Sequence, residues 1–166
     1  METVQISLLV LLAVVFVIYR QTRTRPAAAT GSLYTAAAMI VLGLVSGGLL
    51  DSGGSGGLVD TGHLALSATL FAVEAVAAVA LGVWRARTVR MWVDDSGVAW
   101  SKATGWTLLA WLASMATRVA LYFAGVAAGL TVSTGSVLVF LGLTIGTQAY
   151  LVARRGRALT GNRILS

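Results

Sequence analysis

The side chains that perform most enzyme chemistry are scarce in this chain. Its 166 residues include no cysteine, a single histidine (His63) and six aspartate or glutamate residues. Zinc–thiolate sites, iron–sulfur clusters and cysteine nucleophiles are excluded because their sulfur atoms are absent. One histidine leaves little from which to build a multi-histidine metal site or a serine–histidine triad. The sequence therefore predicts no metal site and no cofactor.

Two ionisable residues lie where a charge is expensive, inside long apolar segments. Glu74 falls near the middle of one such segment and Arg118 near the middle of the next. An unpaired charge at mid-bilayer costs at least about 2.5–3.5 kcal/mol. At a rise of about 1.5 Å per residue, the two lie about 15 and 20 Å from the cytoplasmic ends of their helices, an offset that an arginine can bridge. We expect them to face inward as an ion pair.

Polar residues at helical spacing accompany this pair. Side chains three, four or seven residues apart share one face of a helix. The predicted buried polar site therefore consists of the two charges and the polar residues aligned with them, which are Glu74, Arg118, Ser114, Tyr122, Ser67, Thr144 and Gln148. Two interpretations stay open at this point. The cluster is either a structural lock that fixes how two helices pair, or a site such as a proton relay, a substrate counter-charge or a gate.

The segments that hold these residues are typical of a membrane protein. The chain is 57% apolar and only 11% charged, against about 25% charged in soluble domains. Five segments have about the length that a bilayer-spanning helix needs, at residues 3–19, 32–50, 63–84, 105–129 and 134–153. In lipid, such segments form helices because every backbone polar group must be satisfied internally. The predicted fold is a single all-α membrane domain, with the fourth and fifth helices as antiparallel neighbours.

Basic residues orient the five helices. Eleven of the 12 lysine and arginine residues flank the ends of the segments, namely Arg20, Arg23, Arg25, Arg85, Arg87, Arg90, Lys102, Arg154, Arg155, Arg157 and Arg163. All of these fall on one side if the N-terminus is outside and the C-terminus cytoplasmic, as the positive-inside rule requires. The first segment has no basic residue before it and a basic cluster after it, so we interpret it as an uncleaved anchor. The predicted location is a bacterial inner membrane.

The connections also carry information. The loop at 51–62 is rich in glycine and serine, and Asp60 or Thr61 can cap the third helix. Residues 88–102 predict a short cytoplasmic β-hairpin between the third and fourth helices, because β-branched and aromatic runs flank DDSG. A three-residue loop with Gly97 in the left-handed conformation places Trp92 opposite Trp100, whereas a two-residue loop places Met91 there.

The hairpin is expected to pack on the helix ends or on lipid headgroups, since an isolated hairpin is marginal in water. It is either a simple connector or a docking platform for a partner. In the second case, the residues involved are Trp92, Asp94, Gly97 and Trp100. Small-residue spacings, Gly43 to Gly47 and Gly142 to Gly146, permit close helix packing within the chain or in a dimer.

Residues 75–155 resemble an uncharacterised family of small actinobacterial integral membrane proteins that is distantly CcdC-like. The resemblance is carried by a basic R-x-R-T-x-R entry, a Trp–Asp–Gly–Trp hairpin, a W-x6-R helix motif and a preceding glutamate. In this chain those residues are Arg85 to Arg90, Trp92, Asp94, Gly97, Trp100, Trp111, Arg118 and Glu74. CcdC-type proteins are associated with cytochrome c biogenesis loci. The resemblance implies no activity or cofactor, and this chain has no thiol for disulfide relay.

Three functions fit the sequence. The first is a non-enzymatic assembly, scaffold or regulatory partner in the membrane. The second is a small proton-coupled transporter or permeation unit that uses Glu74 and Arg118, and the third is a membrane enzyme acting on a lipid or isoprenoid. The expected partners are the lipid bilayer and either a second copy or another membrane protein. The net charge of +6 is explained by orientation and by anionic lipid, so no nucleic-acid partner is expected.

Overall fold

The computed structural model describes residues 23–27, 31–47, 58, 62–130 and 133–164, and within them the chain is mostly helical. The elements in chain order are β1 (Arg25–Pro26), α1 (Gly31–Gly47), α2 (Leu64–Thr88), β2 (Arg90–Val93), β3 (Ala99–Lys102), α3 (Gly105–Ala127) and α4 (Thr134–Ile164). The predicted first span, 3–19, lies outside the described residues, as do Asp60 and Thr61. His63 occupies the position before the first turn of α2.

Three of the described helices are long and apolar enough to cross a membrane. They are α2, α3 and α4, which correspond to the predicted third, fourth and fifth spans. The apolar helix α1 corresponds to the second span and has 17 residues. Both α2 and α4 run past their predicted ends, α2 to Thr88 and α4 to Ile164. Both extensions contain arginine and alanine, which are good helix formers.

Glycines bring α1 and α4 into close contact. A Cβ atom on Gly43 would lie 2.7 Å from the carbonyl oxygen of Gly135 and 2.8 Å from Val139 Cγ2. A Cβ on Gly142 would lie 2.6 Å from Ile40 Cγ1. Such approaches are open only to residues without side chains. The predicted small-residue spacings therefore serve packing within the chain.

The predicted neighbours α3 and α4 touch through side chains, but neither helix makes its closest packing with the other. In the structure α4 packs on α1 and α2, while α3 packs on α2. A short connection fixes only where two helix ends meet, whereas packing along their length depends on which faces can approach. Gly82 on α2 provides that approach, because a Cβ there would lie 2.8 Å from the carbonyl oxygen of Thr144 on α4.

A small antiparallel sheet of order β1-β3-β2 lies at one end of the bundle. The predicted hairpin is present, with Trp92 opposite Trp100. Gly97 has a φ of +82°, and the amide of Asp94 donates to the carbonyl oxygen of Val98 at 3.0 Å. These features confirm the three-residue loop. The two-residue strand β1, which pairs with β3, has no counterpart among the predictions because it is too short to show a pattern.

The sheet packs on the helix ends, as predicted. Its inner face and the ends of α2 and α4 share one apolar cluster, formed by Ala27, Ala86, Val89, Ala99 and Val152. Thr104 closes the base of the hairpin: its hydroxyl donates to the carbonyl oxygen of Thr88 at 2.8 Å and accepts from the amide of Thr107 at 3.3 Å. The described basic clusters consequently gather at this end of the bundle, which we call the sheet end.

Candidate functional site

Glu74 and Arg118 form the predicted ion pair. Each side chain lies near the middle of its helix, and both are buried. The Arg118 Nη1 atom donates to Glu74 Oε1 at 2.6 Å, slightly shorter than the roughly 2.7–2.9 Å of a charge-assisted hydrogen bond. The pair joins α2 to α3 at a depth where an unpaired charge would be costly in a bilayer.

A third residue, Ser136 of α4, completes this contact and is absent from the predicted site. Arg118 Nη2 donates to Ser136 Oγ at 2.7 Å, and Ser136 Oγ donates to the carbonyl oxygen of Ser133 at 2.8 Å. The Phe140 ring centroid lies 5.9 Å from the guanidinium carbon of Arg118. Residues spaced four apart share one face of a helix, and such a series on α4 runs Ser136, Phe140, Thr144 and Gln148. This spacing could have identified Ser136 from the sequence. We call Glu74, Arg118 and Ser136 the mid-helix clasp.

A second buried cation lies nearer the sheet end. Arg85 is 3% exposed, although the sequence analysis placed it among the flanking basic residues. Its Nε atom donates to Gln148 Oε1 at 2.7 Å, and its Nη2 atom donates to the same oxygen. The guanidinium carbon lies 5.9 Å from the centroid of the Trp111 ring. Gln148, expected beside Glu74 and Arg118, therefore belongs to a separate cluster of Arg85, Gln148 and Trp111.

The other predicted polar residues do not join either cluster. Ser67, Ser114 and Thr144 are buried. The hydroxyls of Ser67 and Ser114 donate to carbonyl oxygens of their own helices, at 3.2 and 2.9 Å, whereas Thr144 Oγ1 donates across to the carbonyl oxygen of Ala78 at 2.8 Å. Tyr122 is 45% exposed, with its ring edge-on to Phe123. Within the described chain, the predicted polar interior is thus divided into backbone contacts and two clusters.

A shallow recess between α2 and α4 borders the clasp. Its lining comprises Glu74 and Ser136 together with the apolar residues Phe71, Ala75, Val139, Phe140 and Leu143, and it leaves no room for a molecule as large as water. Ligand pockets are usually about 300–1,000 Å³. The recess is therefore small for a ligand, and it reaches only the edge of a carboxylate already bound by Arg118.

In the hairpin, Asp94 organises the turn. Its carboxylate accepts from Ser96 Oγ at 2.7 Å, from the amide of Val98 at 2.9 Å and from Trp100 Nε1 at 2.8 Å. These hydrogen bonds, with that from Ser96 the largest contribution, lower the pKa of Asp94 to about 2. The contact with Trp100 links the turn to the Trp92–Trp100 pair, so the four predicted hairpin residues form one ordered unit.

The opposite faces of this sheet differ in character. Met91 and Val93 pack against the helix ends, so Arg90 and Trp92 lie on the other face because side chains alternate along a strand. Their cross-strand partners, Lys102 and Trp100, share that face. Two indoles flanked by two cations therefore form what we call the outer sheet face.

Metal chemistry has no evident site in the described part of the chain, where no group of three histidine, cysteine, aspartate or glutamate side chains is placed to hold an ion. No family model, no curated protein and no solved structure matches the chain. The resemblance to small CcdC-like membrane proteins remains a prediction. The arrangement of the buried groups is therefore the basis for any functional argument.

Proposed function

We propose that this protein is a non-enzymatic assembly, scaffold or regulatory partner for other membrane proteins in a bacterial inner membrane. One observation carries the proposal: the ionisable groups at mid-helix, Glu74 and Arg118, neutralise each other in a closed contact. A charge that is already paired and hydrogen-bonded suits a structural role, because releasing it for chemistry would strand its partner.

The interior between the two clusters also favours this role over transport. A proton-coupled transporter needs a polar path from one membrane face to the other. Ala78 and Ala110, which lie between the clasp and Arg85, have no exposed surface. The neighbouring hydroxyls of Ser114 and Thr144 donate to backbone carbonyl oxygens. Among the described residues, buried alanines and hydroxyls bonded to the backbone therefore separate the clasp from the sheet end.

A membrane enzyme acting on a lipid or isoprenoid is the second candidate. The recess beside Glu74 favours it, because its apolar lining leads to a carboxylate that could act as an acid or base. The recess is nevertheless smaller than typical ligand pockets. Opening it would require Phe71 or Phe140 to move.

In the proposed membrane arrangement, the chain crosses five times, with its N-terminus outside and its C-terminus in the cytoplasm. The clustering of described basic residues at the sheet end supports this orientation. The outer sheet face would then lie on the cytoplasmic side, where Trp92, at 37% exposure, is available to a partner. Aromatic residues and arginine are enriched at protein interfaces, and this face presents Trp92, Trp100 and Arg90.

To test this, the full chain is purified from its native membrane in a mild detergent, and the mass of the purified complex is measured. We expect a stoichiometric partner, either a second copy or another membrane protein, that is lost with Trp92→Ala. Trp106→Ala is the matched control, since Trp106 is an exposed indole on α3, and this variant should keep the partner. A complex that both variants retain would contradict docking through the outer sheet face.

Reconstitution separates the assembly role from transport. Purified chain in liposomes that contain a pH-sensitive dye should not dissipate an imposed proton gradient faster than empty liposomes. A proton flux that Glu74→Gln abolishes, in a chain that purifies without any partner, would overturn the proposed function in favour of a transporter.

A further inference from the structure

Arg85 is a buried cation whose counter-charge is not found among the described residues. Its guanidinium makes its hydrogen bonds to the neutral oxygen of Gln148 and lies over the Trp111 ring. A buried charge is normally paired, since desolvating an unpaired ion costs several kcal/mol. Arg118, by contrast, donates to both a carboxylate and a hydroxyl. Arg85 is therefore a buried cation without a negatively charged partner among the described residues.

The acidic residues of the chain offer little to balance it. The six are Glu2, Asp51, Asp60, Glu74, Asp94 and Asp95. Glu74 is paired with Arg118 and lies 11 residues from Arg85, about 16 Å along the helix. Asp94 holds the hairpin turn, and Asp95 lies in the same turn. Glu2, Asp51 and Asp60 lie outside the described residues and are predicted on the opposite side of the membrane.

Arg85, at 3% exposure, keeps a small accessible area. Its hydrogen bonds within the described part of the chain come from Nε and Nη2. Nη1 is not among the fully buried atoms without a partner in that part, so it retains some accessible surface. Through that area Nη1 can donate to a group at the protein surface.

A second guanidinium reaches the backbone next to Arg85. Arg155 of α4 donates from Nη1 to the carbonyl oxygen of Ala86 at 2.6 Å, and the residue as a whole is exposed. Gln148 and Arg155 are seven residues apart and so share one face of α4. Arg155 thus brings its charge to the residue that follows Arg85.

The depth of Arg85 matches the headgroup layer of a membrane. Arg85 lies three residues before the end of α2, about 4.5 Å along the axis. Exposed aromatic side chains surround the same end, with Trp84 40%, Trp106 66% and Tyr150 53% exposed. Tryptophan and tyrosine are enriched where hydrocarbon meets headgroups, and basic recesses between spanning helices bind phosphate-bearing headgroups.

We propose that Arg85 and Arg155 form a binding site for the phosphate group of an anionic phospholipid. The phosphate oxygens accept from Arg85 Nη1 and from the guanidinium of Arg155. Gln148 and Trp111 hold the Arg85 fork in place from the protein side. This inference goes beyond the proposed assembly role and requires only that α2 and α4 cross a membrane.

Native mass spectrometry of the full chain in a neutral detergent tests the site. The probe is phosphatidylglycerol, and zwitterionic phosphatidylcholine, which has no net charge, is the comparison. The decisive variant is Gln148→Glu, which supplies the missing carboxylate and leaves Arg85 in place. We expect at least tenfold weaker phosphatidylglycerol binding and no fall in unfolding temperature. Arg155→Gln should also weaken phosphatidylglycerol binding.

Arg154→Gln is the matched control, because it lowers the net charge by the same amount at an exposed position. Its phosphatidylglycerol affinity should stay within twofold of the parent protein. Equal weakening by this variant, or parental affinity in Gln148→Glu, would overturn the site. Inorganic phosphate at millimolar concentration should not displace the lipid, and displacement would show a free-phosphate site instead of a lipid site.

Discussion

Arg118 Nη1 lies 2.6 Å from Glu74 Oε1, which joins the middle of α3 to the middle of α2. The other amino group of the same guanidinium reaches Ser136 on α4. One side chain therefore ties together three helices, two of which, α3 and α4, pack little against each other along their length. Hydrogen bonds between helices act together with close packing to associate helices in lipid, so this contact helps to fix which helix faces meet.

The contribution of Ser136 can be measured directly. Ser136→Ala removes the acceptor for Arg118 Nη2, and we expect the free energy of unfolding in mixed micelles to fall by about 0.6–2 kcal/mol. Ser46→Ala, on the exposed side of α1, should change it by less than about 0.5 kcal/mol. Equal effects of the two substitutions would show that Ser136 adds nothing to the clasp.

Two glycine-to-alanine substitutions, one at the contact between α1 and α4 and one at an open position, should change stability in opposite directions. Gly43→Ala places a methyl group within 2.7 Å of the Gly135 carbonyl oxygen, so stability should fall by about 1–3 kcal/mol. Gly161→Ala meets no atom within 4 Å, and its helix should gain up to about 1 kcal/mol. Thermal unfolding in detergent measures both, and a Gly43→Ala protein as stable as the parent would contradict the close approach.

Acid should destabilise the hairpin turn by protonating the Asp94 carboxylate. Its pKa of about 2 in the folded chain lies below the ordinary 3.8, so the ionised carboxylate stabilises the turn above about pH 4. That stabilisation is lost as the pH falls through about 2. The indole N–H resonance of Trp100 should shift in this window, and Asp94→Asn should abolish the shift. Asp95→Asn should leave it unchanged, and a shift that depends on Asp95 instead would refute the assignment.

The proposed orientation is testable without background labelling, because the chain has no cysteine. A single cysteine at Ser55, in the loop 51–62, should react with an impermeant maleimide on intact cells. A cysteine at Ser96, in the hairpin turn, should react only after lysis. The reverse pattern would invert the proposed topology. Labelling at both sites in intact cells would contradict a membrane crossing by α2, which lies between Ser55 and Ser96.

Several features could be predicted from the sequence because one strong physical constraint determined each of them. Charges inside apolar segments have few low-energy arrangements, so Glu74 and Arg118 were expected to meet. The Trp92–Trp100 register followed from Gly97, whose left-handed backbone selects the three-residue loop. The close approach at Gly43 followed from small residues spaced four apart.

Other features depended on tertiary context. Arg85 resembles any basic residue at a helix end, and only the position of Gln148 on α4 shows that it is buried. Ser136 lies at the start of its segment, where hydroxyls commonly serve as caps. The close packing of α4 on α2 was not predicted, because loop length does not reveal that Gly82 opens α2 to α4.

A double-mutant cycle on Glu74 and Arg118 tests the central claim most directly. The measurement is the free energy of unfolding of the parent, Glu74→Leu, Arg118→Met and the double variant. Each single change strands a buried partner, so we expect losses of about 3–5 kcal/mol, with Glu74→Leu the worse because a guanidinium stays charged. The double variant should recover most of that loss. Additive losses, with the double variant the least stable of the four, would contradict a structural ion pair between these two residues.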